Sequence, residues 1–237
     1  MKRSGVFLGL SLALAGAAPA QAYELSRLTG ASDSQFHDLG ADLLAALGAK
    51  GLSGPASGES GRWGLAGHAS TTYTDDADTW SAVTGAEVDN IDLAGVDAWY
   101  YAPRGIRLGL LAAAIASTDD ALWRVDASLP LYARNTWTVL ARGSLGAVWS
   151  IKNVDAYTQT LGLEASGVFR SLTPFFGAGI AAGEFSAQGE GAPGDETLLR
   201  PEAYAGLRWT LPTFTVSGVV DQTGRNTSLG LRLAFGF

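Results

Sequence analysis

The stretch "SLGLRLAFGF", Ser228–Phe237, closes the chain. Leu229, Leu231, Leu233, Phe235 and Phe237 alternate with Ser228, Gly230, Arg232, Ala234 and Gly236. Successive side chains of a strand point to opposite faces, so one face here is apolar and ends on an aromatic, while the other is small or charged. A soluble sheet hides such an apolar face in a core. A membrane strand turns it to lipid and points the arginine inward. The position of aromatics along the other strands decides between them.

In "RWGLAGHASTTY" (62–73), Trp63, Leu65, Gly67, Ala69, Thr71 and Tyr73 share a face. In "TWTVLARGSLGAVWS" (136–150) the shared face runs from Trp137 through Val139, Ala141, Gly143, Leu145 and Ala147 to Trp149. Each stripe has an aromatic at both ends. A sandwich core gives no reason for that, whereas lipid-facing strands carry aromatic girdles at both interfaces. "LWRVDASLPLY" puts Trp123, Val125, Ala127, Leu129 and Leu131 outward and Arg124, Asp126 and Ser128 inward; "YTQTLGLEASGVFR" puts Phe169 outward with Leu161, Leu163 and Ala165, and Glu164 and Arg170 inward. The expected lipid-interface aromatics are Trp63, Tyr73, Trp123, Trp137, Trp149, Phe169, Phe235 and Phe237. The inward charges are Arg107, Arg124, Asp126, Arg142, Glu164, Glu202, Arg208 and Arg232.

The fold class that follows is all-β: a transmembrane antiparallel up-and-down barrel of about ten strands over 61–237, preceded by a short helix. Strands are expected near 61–73, 91–101, 105–116, 121–132, 136–150, 156–170, 173–186, 197–210, 213–221 and 227–237, with "DTWSAVTGAEVDN" left in a long first loop. Short turns fall around Pro103-Arg104, Arg134-Asn135, Ser171-Leu172 and Leu211-Pro212, and short turns belong on the periplasmic side. Both termini are then expected in the periplasm. A turn centred near Arg134 would place Asp126 opposite Arg142, and one near Asn153 would place Arg142 opposite Glu164, giving a cross-strand line with one guanidinium between two carboxylates.

The chain begins with a signal-peptide pattern over 1–22: Lys2 and Arg3, an apolar run from Val6 to Ala15, and Ala20-Gln21-Ala22 as the cleavage site, so the mature protein is expected to start at Tyr23. The segment 23–60 carries a helix at about 33–47. Ser32 and Gln35 fit a capping box, and Phe36, Leu39, Leu43 and Leu47 fall on one face. This helix is expected to shield the periplasmic mouth or, as the sharper alternative, to plug the barrel. The chain has no cysteine, which excludes a disulfide framework. It carries 16 basic and 23 acidic residues, and loss of Lys2 and Arg3 would leave 14 bases, an excess of acid that argues against nucleic acid as a partner.

Acids collect in the expected outer loops, among them Asp75, Asp76, Asp78, Asp119 and Asp120. They read as solvated surface or, alternatively, as hard oxygen ligands for divalent cations in an anionic outer leaflet. No motif for a cofactor or a tightly bound metal is present in the sequence. In "GHAST", His68 and Ser70 share a face and are the weak catalytic candidates. The pair resembles the His-x-Ser of outer-membrane phospholipases and lipid A deacylases, where histidine activates serine toward lipid. Here both fall on the inward phase. A ten-stranded outer-membrane protease would need acids and a histidine at the outer rim. Acids are there in "TDDAD" and "STDD", but His37 is read in the N-terminal helix and His68 mid-strand.

The chain also resembles a family of small bacterial outer-membrane proteins of unknown function, through "FHDLGADLLAAL", "LARGSLGAVWS", "SLTPFFGAGI" and "TSLGLRLAFGF". That resemblance implies a helix ahead of a barrel and carries no catalytic residues. The terminal aromatic, Phe237, resembles the signal read by the barrel-assembly machinery. The partners expected are therefore that machinery and the lipid and lipopolysaccharide of a Gram-negative outer membrane. The function expected is non-enzymatic, structural or surface-interacting, with a side-chain-filled lumen; the alternative is a narrow channel for small solutes.

Overall fold

The computed structural model describes residues 31–48, 60–85, 88–115, 121–151, 154–188 and 191–236. The signal-peptide segment, Tyr23, Asp119, Asp120 and Phe237 lie outside these residues. In chain order the elements are helix α1 (Asp33–Leu47), β1 (Trp63–Tyr73), helix α2 (Ala77–Thr84), β2 (Asn90–Tyr101), β3 (Arg107–Ile115), β4 (Ala121–Arg134), β5 (Trp137–Ile151), β6 (Val154–Gly167), β7 (Leu172–Ala187), β8 (Glu196–Thr210), β9 (Thr215–Thr223) and β10 (Asn226–Gly236). The ten strands form a closed antiparallel barrel in sequence order, and β1 pairs with β10 to seal it, Gly64 opposite Gly236 through Thr72 opposite Ser228. The loop "DTWSAVTGAEVDN" contributes α2, which Asp76 caps by accepting from the amides of Asp78 and Thr79. Trp80 and Val83, three residues apart, share one helical face turned inward.

The inside–outside phase read from the sequence holds along β1, β4, β5, β6 and β10, and only Arg170, expected inward, departs from it: it is exposed in the β6–β7 turn at φ 58°. On β1, Trp63, Leu65 and Tyr73 are exposed outward while Ala66, Ser70 and Thr72 are buried. On β10, Leu229 and Leu231 are exposed while Arg232 is buried. Exposed aromatics form two belts. Trp63, Tyr100, Trp137, Phe169 and Trp209 encircle the short-turn end, with Trp137 and Phe169 edge to face at 6.2 Å. Tyr73, Trp123 and Tyr157 mark the other end. Phe235, half-buried, packs on Phe214 at 6.2 Å. Trp149 holds the β5 position opposite Ala121.

The register departs from the expected one. Asp126 stands opposite Ser144, and Arg142 stands between Ser128 on β4 and Gly162 on β6. Two local causes act. The β4–β5 turn is Asn135-Thr136, with Asn135 at φ 55°, and the register shifts again between Pro130 and Tyr132. Likewise β5 and β6 shift between Val148 and Ile151. A β-bulge inserts one unpaired residue, so counting from an assumed turn fails by one or two positions beyond it. Among the described residues no helix is long and apolar enough to cross a membrane.

The two-belt geometry predicts that single-tryptophan variants keeping Trp63, Trp123, Trp137 or Trp209 are quenched by brominated acyl chains in liposomes. Variants keeping Trp80 or Trp99, both buried inside, should remain bright. Quenching of the second pair would reverse the assigned faces.

Candidate functional site: a lumen filled at two levels

A ten-stranded barrel is only slightly wider than one filled by side chains alone. At the short-turn half, the filling is ionic. Asp97 on β2 accepts from Arg232 on β10 in bidentate fashion, at 3.0 and 2.9 Å, and faces Arg107 Nη2 at 3.5 Å. Arg107 also donates to Asp126 on β4. Trp99 lies under both cations, 4.4 Å from the Arg232 guanidinium and 5.7 Å from that of Arg107. A second centre is Glu164 on β6, with no exposed surface. It accepts from Arg208 at 2.9 Å and from the Tyr204 hydroxyl at 3.2 Å, and it forms an ion pair with Arg142 at 2.9 Å. Arg208 stacks over Phe175 at 4.0 Å. A planar guanidinium suits both duties, forked bonding to carboxylate and stacking on a ring.

The expected Asp126–Arg142–Glu164 line is therefore replaced by two centres. Neither acid lies directly opposite Arg142; its bond to Glu164 is diagonal, and Asp126 bonds Arg107. Glycines make room for this. A Cβ on Gly109 would fall 2.4 Å from Asp126 Oδ1, and one on Gly177 would fall 2.2 Å from the Tyr204 ring. A cavity beside Arg142, Asp126, Glu202 and Tyr204 measures only 20 Å³, room for about one water.

At the long-loop half, the filling is a helix. Helix α1 lies inside the barrel and touches β1, β2, β7, β8, β9 and β10. Phe36, Leu39, Leu43, Leu44 and Leu47 pack with Trp80 and Val83 of α2 and with inward Ile91, Leu111, Leu122, Val148, Phe185 and Leu198 of the wall. The plug is thus the arrangement present, and it sits at the long-loop mouth. The expected cap over the short-turn mouth is overturned because the C-terminal half of α1 is apolar on every side apart from Asp42, with every residue from Asp42 to Leu47 buried, and such a surface needs enclosure.

Polar contacts hold α1 at three levels. Near its start, His37 Nδ1 meets Glu196 at 2.7 Å and its Nε2 meets Arg200 at 2.8 Å. In the middle, buried Asp42 accepts from the Trp80 indole at 2.6 Å, from the Asp75 amide at 3.1 Å and from Asn226. At its end, Arg124 donates to the Gly48 carbonyl at 2.8 Å. The last turn of α1 has no basic residue of its own, so the wall supplies the cation that complements the helix dipole. Insertion of α1 also brings His37 to the mouth, where the sequence reading does not place it; both ring nitrogens are occupied there.

His68 and Ser70 lie on the lumen face of β1, opposite Arg232 and Gly230. Of the outer-loop acids, Asp76 is engaged in capping α2, and the Thr79 hydroxyl and amide hold its carboxyl below the usual range. Asp75 lies 3.8 Å from Arg225, and Asp78 is at the first turn of α2. Among the described residues no three acids or histidines are grouped to hold a metal ion. The sequence reading missed Asp97, Trp99, Tyr204 and Asp42. Asp97, Trp99 and Tyr101 alternate visibly in "VDAWYY", and Asp42 is the lone polar residue in "GADLLAAL".

No protein-family model matches the chain, and no characterised protein matches its sequence. Solved structures resemble it. An outer-membrane channel from Pseudomonas putida F1 superposes with a TM-score of 0.50 at 9% identity, over 78% of this chain and 99% of that one. The N-terminal β-barrel domain of Pseudomonas aeruginosa OprF gives 0.39 at 14% identity, over 75% and 98%. Omp33 of Acinetobacter baumannii gives 0.36 at 9%, over 75% and 98%. The first likeness is one of fold, and the class it defines is the outer-membrane β-barrel.

Removing Glu164 takes the facing carboxylate from two buried guanidiniums, so Glu164→Ala should cost ~3–5 kcal/mol in urea unfolding from liposomes. Arg142→Ala should cost less, because Arg208 still answers Glu164. A larger loss for Arg142→Ala would refute this hierarchy. Desolvation raises the Asp42 carboxyl above its usual value, outweighing its hydrogen bonds. A folded-state pKa above the unfolded one gives stability that is full below the ordinary carboxylate range and lost as pH rises through the raised value. Protease protection of α1 should therefore weaken with rising pH across that window, and this component should vanish in Asp42→Asn.

Proposed function

We propose that this protein is a closed, non-enzymatic barrel of the Gram-negative outer membrane, with a structural or surface-interaction role exerted at its long-loop end. The observation that carries this reading is the double filling of the lumen: an ionic layer at one half and α1 at the other. Either layer alone obstructs the passage. The outward aliphatic band, with Leu145, Leu161, Leu199 and Leu231 each exposed between the aromatic belts, fits immersion in hydrocarbon. The short-turn end, with the C-terminal strand, faces the periplasm, where the assembly machinery would read the end of β10. The long-loop end meets lipopolysaccharide. His68 and Ser70 have no access to lipid from the lumen, which weighs against a lipid hydrolase.

Purified protein in planar bilayers should give no steady conductance, and deletion of 31–48 should leave it closed, because the Asp97 and Glu164 centres remain. Resolved unitary openings of the intact protein would establish the narrow-channel alternative instead. Openings only after the deletion would make α1 the sole barrier.

A further inference from the structure

We infer that the chain is threaded outward: the N-terminal end of α1 opens on the same side as the long loops, so the barrel presents its own N-terminal segment at the cell surface while its C-terminal strand ends in the periplasm. The inference rests on the outer-membrane reading above and adds a polarity to it.

The direction of α1 follows from burial and charge. Ser32, Asp33, Ser34 and Asp38 are exposed, whereas every residue from Asp42 to Gly48 is buried. The exposed end is the N-terminal one. Its contacts lie at the long-loop rim. For His37 they are Glu196, the first residue of β8, and Arg200 in its first half; for Asp42, in the middle of the helix, one is Asp75, which follows the end of β1. Asn226, the first residue of β10, and Trp80 of α2 are at the same rim. The C-terminal end points down the lumen, where Gly48 meets Arg124 of β4.

Reversal is disfavoured on two counts. A reversed helix would bring the amide-rich N-terminus to a buried guanidinium, the wrong sign for its dipole. It would also push Asp33 and Asp38 among Leu122, Val148 and Phe185, and burying unpaired carboxylates is costly. The chain nevertheless enters β1 at the opposite end, where Gly61 donates its amide to the Tyr101 carbonyl. The described chain thus begins at one mouth and starts its first strand at the other. Ser32 and Gly236 are thus at opposite ends of the barrel, whereas the termini themselves, expected together in the periplasm, lie outside the described residues.

The surface this builds combines the capped first turn of α1, α2 and the β9–β10 turn at Arg225. It is rigid at its base, because α1 is fixed in the wall at three levels. The start of α1 at Ser32 therefore stands at a defined point of the rim.

The protein has no cysteine, so single introduced thiols report topology without background. Ser34→Cys probes the α1 end, Arg225→Cys the long-loop end, and Ser171→Cys the short-turn end; all three positions are exposed. Intact Gram-negative cells expressing each full-length variant are treated with a maleimide on a 5-kDa polyethylene glycol, too large for porins, and then again after outer-membrane permeabilisation. Assembly is checked by heat-modifiable gel mobility. Labelling of Ser34→Cys and Arg225→Cys on intact cells, with Ser171→Cys labelled only after permeabilisation, is the expected result. Labelling of Arg225→Cys alone on intact cells, with Ser34→Cys reached only after permeabilisation, overturns the outward threading and leaves the membrane reading standing. Labelling of Ser171→Cys but not Arg225→Cys on intact cells overturns the membrane orientation itself. Asp38→Cys, also exposed, repeats the α1 test should Ser34→Cys fail to assemble.

Discussion

In hydrocarbon no water is available to bond a free peptide group, so a sheet that spans it must have no edge. The pairing of β1 with β10 meets that demand. Nine residues of β1, from Gly64 to Thr72, stand opposite nine of β10, and the alternation that opens the sequence reading lies on that final strand. Small residues at Gly64, Ala66, Gly230 and Ala234 line the lumen side of this seam with His68 and Arg232 opposite one another, and Arg232 is drawn across to Asp97 on β2. The ionic layer is in this sense anchored across the seam, because the bidentate bond joins the last strand to the second.

Closure at ten strands creates a lumen too wide for one layer of ordinary side chains and too narrow for a wide aqueous pore. The two halves meet the problem differently. The short-turn half uses long guanidinium groups that reach inward, stacked on Trp99 and Phe175 and neutralised by Asp97, Asp126 and Glu164. The long-loop half has inward residues that are aliphatic or aromatic, such as Ile91, Leu122, Val148 and Phe185, which would expose an apolar hollow if left empty. Helix α1 fills that hollow. Its one buried acid, Asp42, is met by three donors, so the polar exception within the apolar layer is satisfied.

Phase, strand number and helix position were legible because each is a short-period property. Trp137 and Leu145 share a face whatever the exact turn, and Ser32 with Gln35 marks the start of α1 on its own. Register was not legible to the same accuracy. It accumulates every turn and bulge between two residues, so the irregularities at Leu131 and between Val148 and Ile151 moved Asp126 and Glu164 away from the positions opposite Arg142. The charge inventory survived this better than the pairings did, since inward parity does not depend on register. Asp97 escaped notice for a different reason: its strand was identified without being phased, although Val96, Ala98 and Tyr100 set the outward face.

The location of α1 illustrates what composition alone leaves open. An apolar stripe calls for a partner, and both mouths of a barrel could offer one. The discriminating information lies in the wall. Inward residues at the short-turn half are Arg107, Arg208 and Arg232 with their acids, a surface that an apolar helix would desolvate without replacing its bonds. Inward residues at the other half are apolar and accept it. The same asymmetry sets the direction of insertion, because the apolar half of α1 seeks the apolar wall and Arg124, at the boundary between the two layers, meets its carbonyl end. Thus the division of the lumen into an ionic and an apolar half selects the mouth, the depth and the polarity of the plug together.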